Sequence, residues 1–437
     1  MESDPEESRA GRATGPPPPT MPARWVPLLY FAFAHLSLAA AFAALAFAPR
    51  GLAGFFYHPR MLAVVHLVTL GWISGSILGA VYIIGPLAFR MPLPARGADY
   101  AAFVAFALGV CGMASHFWMD SRPGMAWSAG LVVAGMSYVA VRGLVNLRSA
   151  RAPLEARLPM GLAFLNVIAA AGLGLLLAVN KVSPFLPVAH LDAVYAHAHL
   201  AALGWGTMMV VGAGYRMLPM ILPAAMPHGF WAYASAVLLE AGVAGLVLGF
   251  LARGRGLVVA GALAVAGIVS FLSRVVWMLR HRRPAPTELR RPDWGVAHAL
   301  LALVCLLAAC GLGLHLAAAE PSDTTLALAP AYGVFGLVGF LAQIVVGVEG
   351  RVLPLFAWLW GFADRGYAES PPSLHLAPAR PLQALVFLLW AIGVPLLALG
   401  LASETMPAVS AGAGALLAGV LASLLNATLV LVRLWRR

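Results

Sequence analysis

Two short stretches put histidines at the head of long apolar runs. Residues 196–219 read AHAHLAALGWGTMMVVGAGYRMLP, with His197 and His199, and residues 66–86 read HLVTLGWISGSILGAVYIIGP, with His66 in the same place. Neutral imidazole ligates metals and haem iron, and ionisable groups inside membrane spans are usually functional. Aligned on His66 and His199 without a gap, both stretches continue with the same leucine, glycine and tryptophan (Leu70, Gly71, Trp72; Leu203, Gly204, Trp205). They then share Gly79 with Gly212, Tyr82 with Tyr215 and Pro86 with Pro219. A third copy, VFGLVGFLAQIVVGVEGRVLP, ends at Pro354; it keeps Gly339, the aromatic Phe340 and Gly347, with Val334 in the histidine's place and Gly350 in the tyrosine's.

Two histidines at one depth on two inner helices are suited to hold a single iron from opposite faces. His66 pairs with His199 by alignment, and His197 is the alternative partner. Residues two apart on an α-helix differ by about 200° in direction, so His197 and His199 do not both face the same neighbour. A membrane histidine that only bonds another helix contributes ~0.6–2 kcal/mol, and packing does not require the same residue at the same depth twice. Structural zinc wants four nitrogen or sulfur ligands, and four do not assemble at one depth without loop histidines. The chain has no CxxCH motif, so any haem is held non-covalently.

Polar residues also mark the far ends of the same runs. Arg216 and Arg351 precede Pro219 and Pro354, and Glu349 and Gln343 lie in the third copy. Glu349, Arg351, Gln343 and Arg216 are candidates for a proton or anion path, although arginine near a span end equally well snorkels to the interface. His35 and His298, with Asn166 between them in chain order, suggest a buried polar layer with no chemistry assigned. Gly71, Gly75 and Gly79 leave one helix face bare, which admits either a neighbouring backbone or a flat macrocycle.

These residues need long apolar elements to carry them, and the composition supplies them. Of the 437 residues 61% are hydrophobic and 10% charged, against about 25% charged in soluble proteins. The chain is therefore a polytopic all-α membrane protein. Runs of about 20 apolar residues predict spans near 26–48, 61–88, 98–119, 124–146, 158–179, 190–221, 229–252, 256–279, 294–317, 326–357, 381–402 and 406–432. The three copies fall in the second, sixth and tenth, so twelve transmembrane helices divide into three pseudo-symmetric four-helix repeats, approximately 25–150, 151–283 and 284–437. Each repeat has an even number of spans, so all insert the same way round and are related by an axis along the membrane normal.

Charge fixes the orientation. The net charge of +11 is spread over short loops, which is a topology signal and argues against nucleic acid as a partner. Arginines crowd the loops on the side of both termini, as at Arg280, Arg282, Arg283, Arg290 and Arg291, with Arg365, Arg436 and Arg437 on that side too. They are sparse opposite, at Arg50, Arg60, Arg122, Lys181, Arg253 and Arg255. Both termini are expected in the cytoplasm of a bacterium, with the protein in its inner membrane. Residues 1–24, acidic and then proline-rich, read as a disordered cytoplasmic tail and not a cleaved signal. Residues 25–437 read as one membrane domain. The three cysteines, Cys111, Cys305 and Cys310, lie in apolar runs without metal or redox spacing. Interfacial histidines such as His58, His190, His228, His281 and His375 need no functional explanation.

Twelve spans in three pseudo-symmetric arcs, with histidines near the outer ends of the second and sixth, resemble subunit I of the haem–copper oxidases. The closer resemblance is to divergent relatives that include the NnrS family of haem- and copper-containing membrane proteins. Their motifs of the type HAHxxxxG[FW] and GRV[IL]P stand here as His197–Trp205 and Gly350–Pro354. The resemblance implies a b-type haem held by His66 with His199 or His197, and a cytochrome or quinol as electron donor. It implies one-electron transfer or nitric-oxide-related redox work near the outer face, and, if the chain is an enzyme, a haem-dependent membrane oxidoreductase. The departures are as informative. The tenth span has no histidine, the adjacent His-His pair of a copper site is missing, His228 sits at the wrong end of the seventh span, and Tyr215 lies too far along its helix for a copper-site tyrosine. A complete oxygen-reducing centre is not expected, and copper lacks a full ligand set. The alternative from another class is a repeat-built transporter using the histidines as a proton relay or metal-ion site.

Overall fold

The structure is a computed structural model and describes residues 21–252, 254–284, 291–363 and 377–435. Most of the expected tail, the loop residues Arg253, Arg290, Arg365, Arg436 and Arg437, and His375 lie outside the described residues. Among the described residues there is no strand.

Apolar periodicity becomes helix throughout. The helices are α1 (Trp25–Phe47), α2 (Pro59–Ala88), α3 (Gly97–Trp118), α4 (Arg122–Leu147) and α5 (Leu154–Val182), then α6 (190–221) and α7 (Phe230–Leu251). They continue with α8 (Leu257–Arg280), α9 (Trp294–Ala318), α10 (Asp323–Phe362), α11 (Arg380–Ala402) and α12 (Met406–Trp435). Eleven of these are long and apolar enough to cross a membrane, and α6 falls outside that group. Its histidines and its glycines at 204, 206, 212 and 214 dilute its hydropathy. Large apolar side chains such as Leu36, Val104, Leu108, Trp127 and Leu248 are exposed on the outside of the bundle, where lipid covers them. The chain is a multi-pass membrane protein.

The helices are not equally buried. In α2, 72% of the most apolar window is buried, against 22% in α9, so α2 is central and α9 peripheral. α3 with α4, α7 with α8 and α11 with α12 pack as neighbouring hairpins, and α1 packs against α12. Trp25 and Trp435 meet edge to face at 6.1 Å, with the Arg24 guanidinium over both rings and over Trp360. The two ends of the bundle's chain therefore share one face.

The bare glycine face of α2 is filled by α1. A Cβ on Gly71 would lie 2.3 Å from Ser37 Cβ, and one on Gly79 would lie 2.9 Å from Tyr30 Cβ. Close helix packing therefore accounts for this spine, leaving no room there for a macrocycle. The aligned glycines of the other two copies are used the same way. Gly204 abuts Asn166 and Gly212 abuts Met160 on α5, while Gly339 abuts Cys305 and Gly347 abuts His298 on α9.

Each aligned stretch also departs from α geometry at the same place. Leu67–Ser74, Leu200–Thr207 and Val334–Ala342 are π-helical, beginning one residue after His66, one after His199 and at Val334. In the second of them the Thr207 hydroxyl donates to the carbonyl five residues back, at Ala202. π-helical insertions are rare and frequently mark functional sites.

At the termini-bearing end, Asp99 is fully buried. It accepts from Tyr82 Oη at 2.7 Å and from the Arg96 backbone N–H at 2.5 Å, and it pairs with Arg142. Arg142 also donates to the Pro94 carbonyl. This cluster ties α2, α3 and α4 together.

Candidate functional site

The three π-helical runs meet near the middle of the bundle, and their tryptophans tie them. Trp72 Nε1 donates to the Ala342 carbonyl at 3.1 Å, and Trp205 Nε1 donates to Ser74 Oγ at 3.1 Å. Each bond joins the tryptophan position of one run to a residue at the end of another. The third run has Phe340 there, which has no N–H to give. Trp205→Phe is expected to lower stability by about 1–2 kcal/mol, the range for one buried hydrogen bond with some packing. A thermal melt in detergent checks it; no change would mean that the bond carries nothing.

One turn toward the other end stand the histidines. His66 Nδ1 lies 2.7 Å from the Leu62 carbonyl, His199 Nδ1 2.8 Å from the Tyr195 carbonyl, and His197 Nδ1 3.0 Å from the Ala170 carbonyl on α5. A carbonyl only accepts, so each ring carries its proton on Nδ1. Nε2 is then a bare lone pair, which is the form that ligates metal.

The three rings have different neighbours. His66 and His197 lie close enough for their charges to interact, across the α2–α6 boundary. His66 is stacked on Phe117 of α3 at 4.9 Å. His197 has room because residue 174 is glycine; a Cβ there would stand 2.9 Å from its Cε1. His199 points the other way, with Nε2 3.1 Å from Tyr332 Oη of α10 and its ring beside Phe250 of α7. His199 thus meets the residue two places before the aligned position in the next run, Tyr332, and His197 stands in the corresponding place relative to His66, with an electrostatic interaction between the two.

His66 and His197 are each partly exposed, each is oriented by a backbone carbonyl, and neither Nε2 makes a hydrogen bond, whereas that of His199 is occupied by a phenol. Lys181 is near enough to His66 for their charges to interact, and its ammonium lies 4.7 Å from the centre of the Tyr57 ring. Burial pushes the Tyr57 hydroxyl up to about 12, so it stays a phenol and donates to His190 Nε2 at 2.5 Å. Among the described residues, no three His, Cys, Asp or Glu side chains gather as a metal-binding group.

The polar residues at the far ends separate into two kinds. Arg216 Nε donates to the Ala88 carbonyl at 2.6 Å and so caps α2. Arg351 pairs with Asp293, which also caps the N-terminus of α9 through Val296. These arginines stitch helices. Gln343 and Glu349 are instead buried without any hydrogen-bond partner on their side-chain polar atoms. His35, Asn166 and His298 are all buried: His35 packs against Trp72 at 5.0 Å, Asn166 against Gly204, and His298 against Gly347.

Two residues were not singled out in the sequence. Glu240 of α7 accepts from Asn166 at 2.8 Å, and Asn166 also donates to the Gly204 carbonyl. A lone carboxylate inside an apolar run was the available signal. Tyr332 had none, since the third copy lacks the histidine that drew attention to the other two. The sequence matches no family model and no curated protein.

Proposed function

We propose that this chain is a haem-binding inner-membrane protein of the haem–copper oxidase subunit I-like superfamily, similar to the NnrS family, with His66 and His197 ligating one b-type haem. The observation that carries the reading is the pair itself: two imidazoles from neighbouring helices, each held at Nδ1 by a backbone carbonyl and each offering a free Nε2. A haem bound there supplies one-electron chemistry, for electron transfer or nitric-oxide-related redox work, with a cytochrome or quinol as donor. Held by both His66 and His197, such a group would supply electron transfer ahead of gas binding.

The chain's own residues supply the rest. Leu62 and Ala170 fix ring orientation, Phe117 backs one imidazole, and Lys181 places a cation suited to a propionate near His66. The proposed architecture is twelve spans in three four-helix units about an axis along the membrane normal, with both termini cytoplasmic. Its support is the matching register of the three π-helical runs, the corresponding places of His197 and Tyr332 two before the aligned position, and the equivalent glycine contacts on α1, α5 and α9.

A reduced-minus-oxidised spectrum of the purified protein tests the reading. Sharp reduced α and β bands with a Soret peak are expected. A colourless preparation after expression with haem supplied would overturn it and leave the transporter reading, which the buried Glu349 favours.

A further inference from the structure

Two ionisable side chains from different helices meet in the dry interior, away from the imidazoles above. His35 of α1 and Glu349 of α10 are 2% and 6% exposed, with Nε2 and Oε2 3.8 Å apart. That is too long for a hydrogen bond. His35 Nδ1 faces the Phe31 carbonyl at 2.9 Å, so its proton is there and Nε2 is bare. Both Glu349 oxygens and His35 Nε2 lack partners. Buried polar atoms are nearly always satisfied by protein or by ordered water, so this pair calls for a proton, a water or both.

The means of delivery lies beside it. A cavity of about 40 Å3 is bordered by Glu349, His298, Gln383, Ser423 and Asn426, room for about three waters at roughly 10–15 Å3 each. It is also lined by Trp294 and Val430, near the helix ends that share a face with both chain ends. His298 Nδ1, on its wall, has no partner either. On the elements packed against this helix, Cys305, Cys310 and His315 of α9 lie further along toward that helix's other end, and the charged groups nearer by are engaged. Arg351 pairs with Asp293, Tyr82 with Asp99, Arg433 donates to the Ala377 carbonyl, and Arg380 to those of Arg291 and Pro292.

We propose that Glu349 and His35 form a proton-loading site, filled from the termini-bearing face through waters in this cavity. A proton from the termini-bearing face is relayed through the cavity waters, each giving one proton up as it takes another, to the Glu349 carboxylate, where it rests as a carboxylic acid beside the bare Nε2 of His35. Release reverses the relay, and no electron moves. The two arginines of the same helix ends take no part. The site is independent of what His66 and His197 hold, so it stands or falls apart from the haem reading.

Infrared spectroscopy of the full chain in phosphatidylcholine bilayers tests it. A carboxylic-acid band is expected that fades as the buffer is made alkaline, shifts in D2O and is lost in Glu349→Gln. His35→Asn moves its midpoint by about one pH unit, the scale of a lost close partner. Filling the cavity with Ser423→Leu and Asn426→Leu slows deuterium exchange of the band at least about tenfold, while the band itself remains. A band unchanged in Glu349→Gln, or one in the wild type that neither titrates nor exchanges, would overturn the proposal. If Glu349→Gln fails to fold, wild-type exchange with and without the cavity filled still decides.

Discussion

Alanine at His66 or at His197 is expected to strip the pigment from the purified protein, and alanine at His199 to leave it in place. The first two substitutions would remove a proposed haem ligand outright. Loss of an outer-shell partner alone typically costs 10–100-fold in metal affinity, so haem retention should fall at least about tenfold. His199→Ala removes only an acceptor for the Tyr332 hydroxyl, a loss of about 1–3 kcal/mol in stability with the spectrum intact. Gly174→Val leaves every imidazole present, but its Cβ intrudes on the His197 ring and should broaden and weaken the reduced bands. Spectra normalised to protein concentration check all four. If His199→Ala loses the pigment and His197→Ala keeps it, the ligands are the aligned pair; if none loses it, the haem is elsewhere.

The second large effect is on folding. Asp99→Ala is expected to destabilise the protein by about 3–5 kcal/mol, the cost of leaving a buried ion without its partner. Arg142 is only 9% exposed, and its remaining acceptor is the Pro94 carbonyl. The same substitution frees the hydroxyl of Tyr82 and opens the start of α3. Replacing both ions together, Asp99→Leu with Arg142→Met, should recover much of the loss, because an apolar pair leaves no stranded charge. Thermal unfolding in detergent measures both variants. An unchanged melting temperature in Asp99→Ala would show that Arg142 reaches water by snorkelling.

Much of this was legible in the sequence. Apolar runs gave the helices to within a few residues, and the gapless alignment found three stretches that share the π-helical register. The tautomer of His66 and His199 was implicit too, since a carbonyl four residues back is within reach of Nδ1. The choice of partner was not legible. Alignment pairs like with like, His66 with His199, whereas the contact seen at His199 is with Tyr332, two places before the aligned position in the third copy. The pairing of His35 with Glu349 was hidden for another reason. It joins helices 314 residues apart in the chain (349 − 35), at levels that no local periodicity relates.

The wide turns in α2, α6 and α10 have a consequence for how these helices can change. Each turn resets the angular phase between the segment before it, which aims an imidazole or phenol, and the segment after it, which seats glycines against a neighbour. Removing one residue from Leu67–Ser74 would rotate one segment against the other by about 100°. Either His66 or Gly79 could then keep its bearing, but not both. A change of residue type in these runs leaves that phase alone, whereas a change of length by a single residue does not.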